Sequence, residues 1–148
     1  MKNNLHSGWH LIVDAFVADP GRISCPDSIR NFMTDLVGLL KMEILDGPRI
    51  TEVPLDTNQL ATESDDGGIT GYCLITTSHI AIHTWPLRNR FCLDVFSCKE
   101  FSGEEAESYL REFFGVTQAE VTWLARSWPR QRKSTRRVRA PLAAALPR

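Results

Sequence analysis

Trp9 to Val17 (WHLIVDAFV) is β-branched and aromatic enough for a buried strand, and Asp19-Pro20-Gly21 breaks it. A helix begins near Pro26-Asp27, with Asp27 as its N-cap. Its apolar positions Ile29, Phe32, Met33, Leu36, Val37 and Leu40 recur at three and four, which turns one stripe toward a sheet. Gly47-Pro48 ends that helix, and Arg49 to Leu55 reads as a second strand. Residues 56–68, DTNQLATESDDGG, form a polar loop long enough to suggest function or disorder. Three strands follow in quick succession: Gly71–Thr77, His79–Trp85 and Phe91–Ser97, the last two joined by the turn Pro86–Arg90. Ser102 and Glu105 make a capping box for a second helix carrying Ala106, Tyr109, Leu110 and Phe113 on one face, stopped by Gly115. Glu120–Arg126 closes the pattern as a last strand. The order β-α-β-β-β-β-α-β predicts an α+β fold, a two-layer sandwich of one mainly antiparallel sheet with two helices on one face.

Composition changes this picture little. With 148 residues, 43% hydrophobic and 24% charged, the chain is an ordinary globular domain rather than a disordered one. No apolar run reaches the length of a membrane span. The N-terminus lacks the charged start, apolar stretch and cleavage site of a signal peptide, so a cytoplasmic protein is expected. The four cysteines (Cys25, Cys73, Cys92, Cys98) form no C-x-x-C and read as thiols. Charge adds one feature. From Trp128 onward stand Arg130, Arg132, Lys133, Arg136, Arg137, Arg139 and Arg148 with no acidic residue, against a net charge of −1 for the whole chain. The chain therefore divides into a domain over 1–127 and a basic tail over 128–148. The tail has no aromatic after Trp128, so a solubilising role is favoured over nucleic-acid contact.

Reactive side chains concentrate in Thr77-Ser78-His79-Ile80-Ala81-Ile82-His83-Thr84-Trp85-Pro86, with Cys92 and Cys98 beyond. His79 and His83 share a strand face but lie about 13 Å apart along it, too far to hold one metal ion. The cysteines also lack zinc-ligand spacing, so no metal is expected. Ser78 or Cys98 activated by His83 as a base would suit nucleophilic catalysis, although no G-x-S-x-G elbow surrounds Ser78. Trp85 and Phe96 read as core, Cys73 and Cys92 as packing residues, and Asp94 as a buried carboxylate with hydrogen-bonded partners.

The run Ser78-His79-Ile80-Ala81-Ile82-His83-Thr84-Trp85-Pro86, then Asp94-Val95-Phe96-Ser97-Cys98, resembles the prokaryotic S-adenosylmethionine decarboxylase proenzymes. Gly8-Trp9-His10-Leu11 is similar to that family's opening strand, and Gly68-Ile69-Thr70-Gly71 to its G-x-S-G turn. The resemblance spans about residues 8–126. It implies a self-cleaving pyruvoyl enzyme of spermidine biosynthesis, cut between Thr77 and Ser78. Ser78 would become the pyruvoyl cofactor and form the Schiff base with substrate. His83 would accept the proton during processing, Thr70 would support the oxyanion, and Cys98 would donate a proton in catalysis. The resemblance further implies active sites at a dimer interface, hence a homodimer or higher homo-oligomer.

Three positions depart from the family pattern. Thr77 stands where a glutamate usually precedes the cleaved serine, Leu87 stands where an acidic residue is common, and Ala61–Asp66 lacks an adenine-stacking aromatic. The same chemistry would serve ornithine or arginine, with Glu63, Asp65 and Asp66 facing a cationic side chain. A binding or regulatory homologue that never matures is the remaining alternative.

Overall fold

The computed structural model describes residues 6–55 and 66–129. Its elements are β1 (His6–Val17), α1 (Pro26–Leu39), β2 (Ile44–Val53), β3 (Gly68–Ile75), β4 (Ser78–Trp85), β5 (Arg90–Ser97), α2 (Gly103–Phe114) and β6 (Val116–Ser127), with a 3-10 turn at Pro86–Arg88. The six strands form one sheet in the order β2-β3-β4-β5-β1-β6, and every neighbouring pair is antiparallel. The fold is the α+β sandwich the pattern predicts.

Both helices lie on one face because period-two strands and period-3.6 helices here present matching apolar stripes. Leu11, Val13 and Ala15 of β1, Ile80 and Ile82 of β4, and Phe91, Leu93 and Val95 of β5 all point to that face and are buried. Against them α1 sets Ile29, Phe32, Met33, Leu36 and Val37, while α2 sets Ala106, Leu110 and Phe114. Phe32 sits among the rings of Tyr109, Phe113 and Phe114 at 4.5–5.5 Å.

Element boundaries moved in places. Cys25, not Asp27, caps α1, with Pro26 in its first turn. The helix ends at Leu39 rather than at Gly47-Pro48, and Lys41 turns the chain with φ 55°. Strand β2 then runs through Gly47-Pro48 with two register shifts, which an edge strand tolerates because its outer N–H groups have no ladder to serve. Strand β3 stops at Ile75, so Thr77 belongs to a turn. On α2 the Ser102 hydroxyl accepts the Glu105 N–H at 3.1 Å, and Gly115 follows the helix in the left-handed region.

Positions alternating with the core make a second, open face. It carries Phe16, Tyr72, Leu74 and Leu124, all well exposed, together with most of the polar residues singled out above. Trp85 and Phe96 also lie on this face, half-buried, rather than in the core. No described helix is long and apolar enough to cross a membrane. The basic residues from Arg130 onward, and most of the 56–68 loop including Glu63 and Asp65, lie outside the described residues.

Candidate active site

The structure divides the candidate residues into two groups. The first gathers at the end of the sheet where β4 begins. Strands β3 and β4 pair as far as Ile75 opposite Ser78, so only Thr76 and Thr77 make the turn. Closing so short a turn places Thr77 at φ 73°, in the left-handed region that a β-branched residue rarely adopts. Ser78 also pairs with Ser97, the last residue of β5, which brings Cys98 alongside. The Ser78 hydroxyl donates to the Thr77 carbonyl oxygen, and the Cys98 N–H donates to Ser78 Oγ at 2.9 Å. The Ser78 hydroxyl is thus held between the preceding carbonyl and a backbone amide. Thr77 and Cys98 are exposed and Ser78 half-buried.

The strand beneath comes close because of a glycine. At Gly8, with φ 153°, a Cβ would fall 2.6 Å from the Ser97 carbonyl and 2.7 Å from the Phe96 ring. This gives the G-x-H-L opening a physical reason. His10, two residues on, donates from Nε2 to Asp94 Oδ1 at 2.9 Å. Asp94 therefore has its expected partner, but it lies on the open face with its carboxylate partly exposed rather than buried. Phe96 lies between His10 and His79, and the Arg126 guanidinium sits 4.5 Å from its ring centre.

The second group lies farther along the open face. Thr70 of β3 stands directly opposite His83 of β4, and Thr70 Oγ1 and His83 Nδ1 share a hydrogen bond of 3.1 Å. Gly68 and Thr84 hold the two strands close here. A Cβ on Gly68 would fall 2.0 Å from the Thr84 carbonyl, and the buried Thr84 hydroxyl accepts the Ile69 N–H at 3.0 Å. Neither Thr84 nor the His10–Asp94 pair stood out as a site residue in the sequence, since a lone polar side chain on a strand carries no spacing signal. A hollow of about 540 Å³ is lined in part by Asp14, Phe16, Trp85, Arg90, Cys92 and Glu120, and Cys92 is the residue paired with His83 across β4 and β5. Burial there, reinforced by a hydrogen bond to Asp14, pushes the Cys92 thiol up to about 12. Burial in the core pushes Cys73 upward as well. Cys73 is thus a packing residue as expected, whereas Cys92 faces the hollow.

Ser78 and His83 are not brought together. Five residues along one regular strand separate them by about 16 Å and set them on opposite faces. A free terminus at residue 78 would relax the alternation of faces but not that length. Asp66 is also placed differently from expectation. It is buried in an ion pair with Arg88, which removes its charge from any neighbouring cation.

A family model described as S-adenosylmethionine decarboxylase matches residues 9–127. The S-adenosylmethionine decarboxylase proenzyme of Pyrococcus furiosus is 30% identical over 120 residues, covering 80% of this chain and 78% of its own length. A proenzyme of the same name from Acidithiobacillus ferrooxidans is 38% identical over 60 residues, covering 40% of this chain and 45% of its own. Among solved structures, the adenosylmethionine decarboxylase of Aquifex aeolicus superposes with a TM-score of 0.66 at 21% identity, covering 86% of this chain and 96% of that one. That last likeness speaks for the fold, and the first two speak for descent. Together with the Ser78, His83 and Cys98 spacing they lead to one conclusion: the chain belongs to the S-adenosylmethionine decarboxylase family.

Proposed function

We propose that this protein is a self-processing, pyruvoyl-dependent decarboxylase of S-adenosylmethionine, acting in the cytoplasm to supply the aminopropyl donor for spermidine. The observation that carries the reading is the Ser78 hydroxyl lying on the Thr77 carbonyl, in a left-handed turn, with the Cys98 amide at its oxygen. The Ser78 hydroxyl attacks the Thr77 carbonyl carbon, and the peptide becomes an ester. Thr70 supports the oxyanion of that step, in which hydrogen bonds aimed at developing charge lower the barrier. His83 then removes the Ser78 α-proton, the Cβ–Oγ bond breaks, and residues 1–77 leave as a carboxylate. Hydrolysis of the remaining dehydroalanine releases ammonia and leaves a pyruvoyl group at the head of residues 78–148.

The residues present fit that group. Residue 78 begins a strand rather than interrupting one, so a new terminus forms there without dismantling the core. When formed, the pyruvoyl carbonyl supplies an electron sink for the carbanion left by carbon dioxide, which no ordinary side chain offers. Cys98, at the same strand end, returns a proton to the substrate α-carbon.

The separation of Ser78 from His83 supports a homodimer in which the Thr70–His83 pair of one copy serves Ser78 of the other. The open face is the surface that would meet: Phe16, Tyr72, Leu74 and Leu124 leave it apolar and half-exposed in one chain. A two-fold pairing of identical faces gives two equivalent sites.

The ornithine or arginine reading loses part of its basis, because Asp66 is already paired with Arg88. Carbon dioxide release from carboxyl-labelled S-adenosylmethionine, ornithine and arginine by the purified protein tests the substrate. Release from S-adenosylmethionine alone is expected. Release from a basic amino acid alone would move the activity to that substrate, and release from none would favour a non-processing homologue.

A further inference from the structure

Thr77 is held in its unfavourable conformation from both sides. Upstream, the Thr76 N–H donates to the Glu43 carbonyl at 2.9 Å, which ties the turn to the start of β2. Downstream, Ser78 is paired to both Ile75 and Ser97, and its hydroxyl accepts the Cys98 N–H. Between these anchors two residues must reverse the chain, and Thr77 takes the left-handed backbone at φ 73°. A turn with positive φ at this position ordinarily carries glycine or asparagine. A β-branched residue there persists only where its surroundings over-determine it.

We propose that this strain drives maturation: the left-handed Thr77 raises the free energy of the uncleaved peptide and so accelerates the acyl shift onto Ser78. The inference rests on the reading of Ser78 as the cleavage point. In the shift the bond from Ser78 Oγ to the Thr77 carbonyl carbon forms and the C–N bond between Thr77 and Ser78 breaks. The hydroxyl proton ends on the freed nitrogen. The covalent path between the two residues then runs through Oγ and Cβ and is one bond longer. The turn loosens, and Thr77 can leave the left-handed region. Ground-state strain relieved on the way to the product lowers the barrier.

The account requires reactivity and stability to move in opposite directions at Thr77. Cleavage of freshly translated chain is followed by gel for Thr77→Gly, Thr77→Asn and Thr77→Val. Thr77→Gly, which tolerates positive φ, should cleave about tenfold more slowly than the Thr77 chain. Asparagine should fall between them, and valine, which keeps the branched Cβ, should cleave faster than glycine. On a Ser78→Ala chain, which cannot cleave, Thr77→Gly should raise the melting midpoint by about 2–4 °C. A glycine variant that cleaves as fast as the Thr77 chain, or that leaves the Ser78→Ala midpoint unmoved or lower, overturns the inference. If glycine prevents folding, the asparagine variant is judged by the same two readings. A Thr77 chain that never cleaves overturns the reading of Ser78 and this inference with it. A cleaving parent with an indifferent glycine or asparagine variant overturns the inference alone.

Discussion

The two faces of the sheet are built to different standards. The helix-covered face is finished within one chain: Phe32, Phe91, Ile80, Ile82 and Leu93 are fully buried, and their partners are all at hand. The open face mixes exposed rings and leucines with the polar pairs Thr70–His83 and His10–Asp94. This apolar surface is where a second copy is proposed to dock. The contrast teaches where to look for each property. Stability resides under the helices, and the proposed chemistry lies on the open face and at the turn where β4 begins.

The largest effect should come from the side chain most distant from its proposed target. His83→Ala should slow chain cleavage by about 10²–10⁴-fold, the usual contribution of a positioned base. Co-expression with Ser78→Ala should restore cleavage of the His83→Ala chain, because in the proposed dimer the partner would supply the missing imidazole. Absence of rescue, read on a gel with tagged chains, would place the base and nucleophile in one copy and break the comparison.

Next in size is Phe32→Ala, on the finished face. It removes a ring packed on three others and should cost about 3–5 kcal/mol in denaturant unfolding. On the open face Leu124→Arg should do the reverse. It should leave the fold of one chain nearly unchanged while weakening self-association about 100-fold or more, since an unpaired charge would be buried between copies. Sedimentation and unfolding measured on both variants separate the two faces. Equal loss of stability in both would erase the distinction.

Much of this was legible in the residues. Helical spacing marked both core stripes, Ser102 and Gly115 marked the ends of α2, and the Ser78 to Cys98 block carried the family. What escaped notice was how the sheet divides its faces. Alternation shows that Trp85 and Phe96 share a face with His83, but not whether helices or a second copy cover it. Five-residue spacing on a regular strand likewise sets Ser78 and His83 on opposite faces. Only the pairing of Ser78 with Ile75 and Ser97 establishes that β4 is regular from its first residue. The start of β2 was hidden because Gly47-Pro48, a usual breaker, here sits inside an edge strand.

The smallest effect concerns the hollow lined by Cys92. The Cys92 thiol is raised from about 9 to about 12, chiefly by burial. A folded state that holds this proton more tightly than the unfolded chain keeps its stability below about pH 9 and loses it as the pH rises toward 12. Tyr109, raised to about 12 by burial and by Asp35, adds to the same alkaline loss. Alkylation at pH 8 should therefore modify the exposed Cys25 and Cys98 well before Cys92. Early loss of Cys92 would mean that the hollow is open to solvent.

The central claim is that the chain cuts itself before Ser78, and a denaturing mass spectrum of the purified protein tests it most directly. The account predicts two fragments, residues 1–77 and 78–148, the second carrying a terminal carbonyl that reacts with a hydrazine, and a single uncut chain for Ser78→Ala. One intact chain of 148 residues from the unsubstituted protein would contradict it.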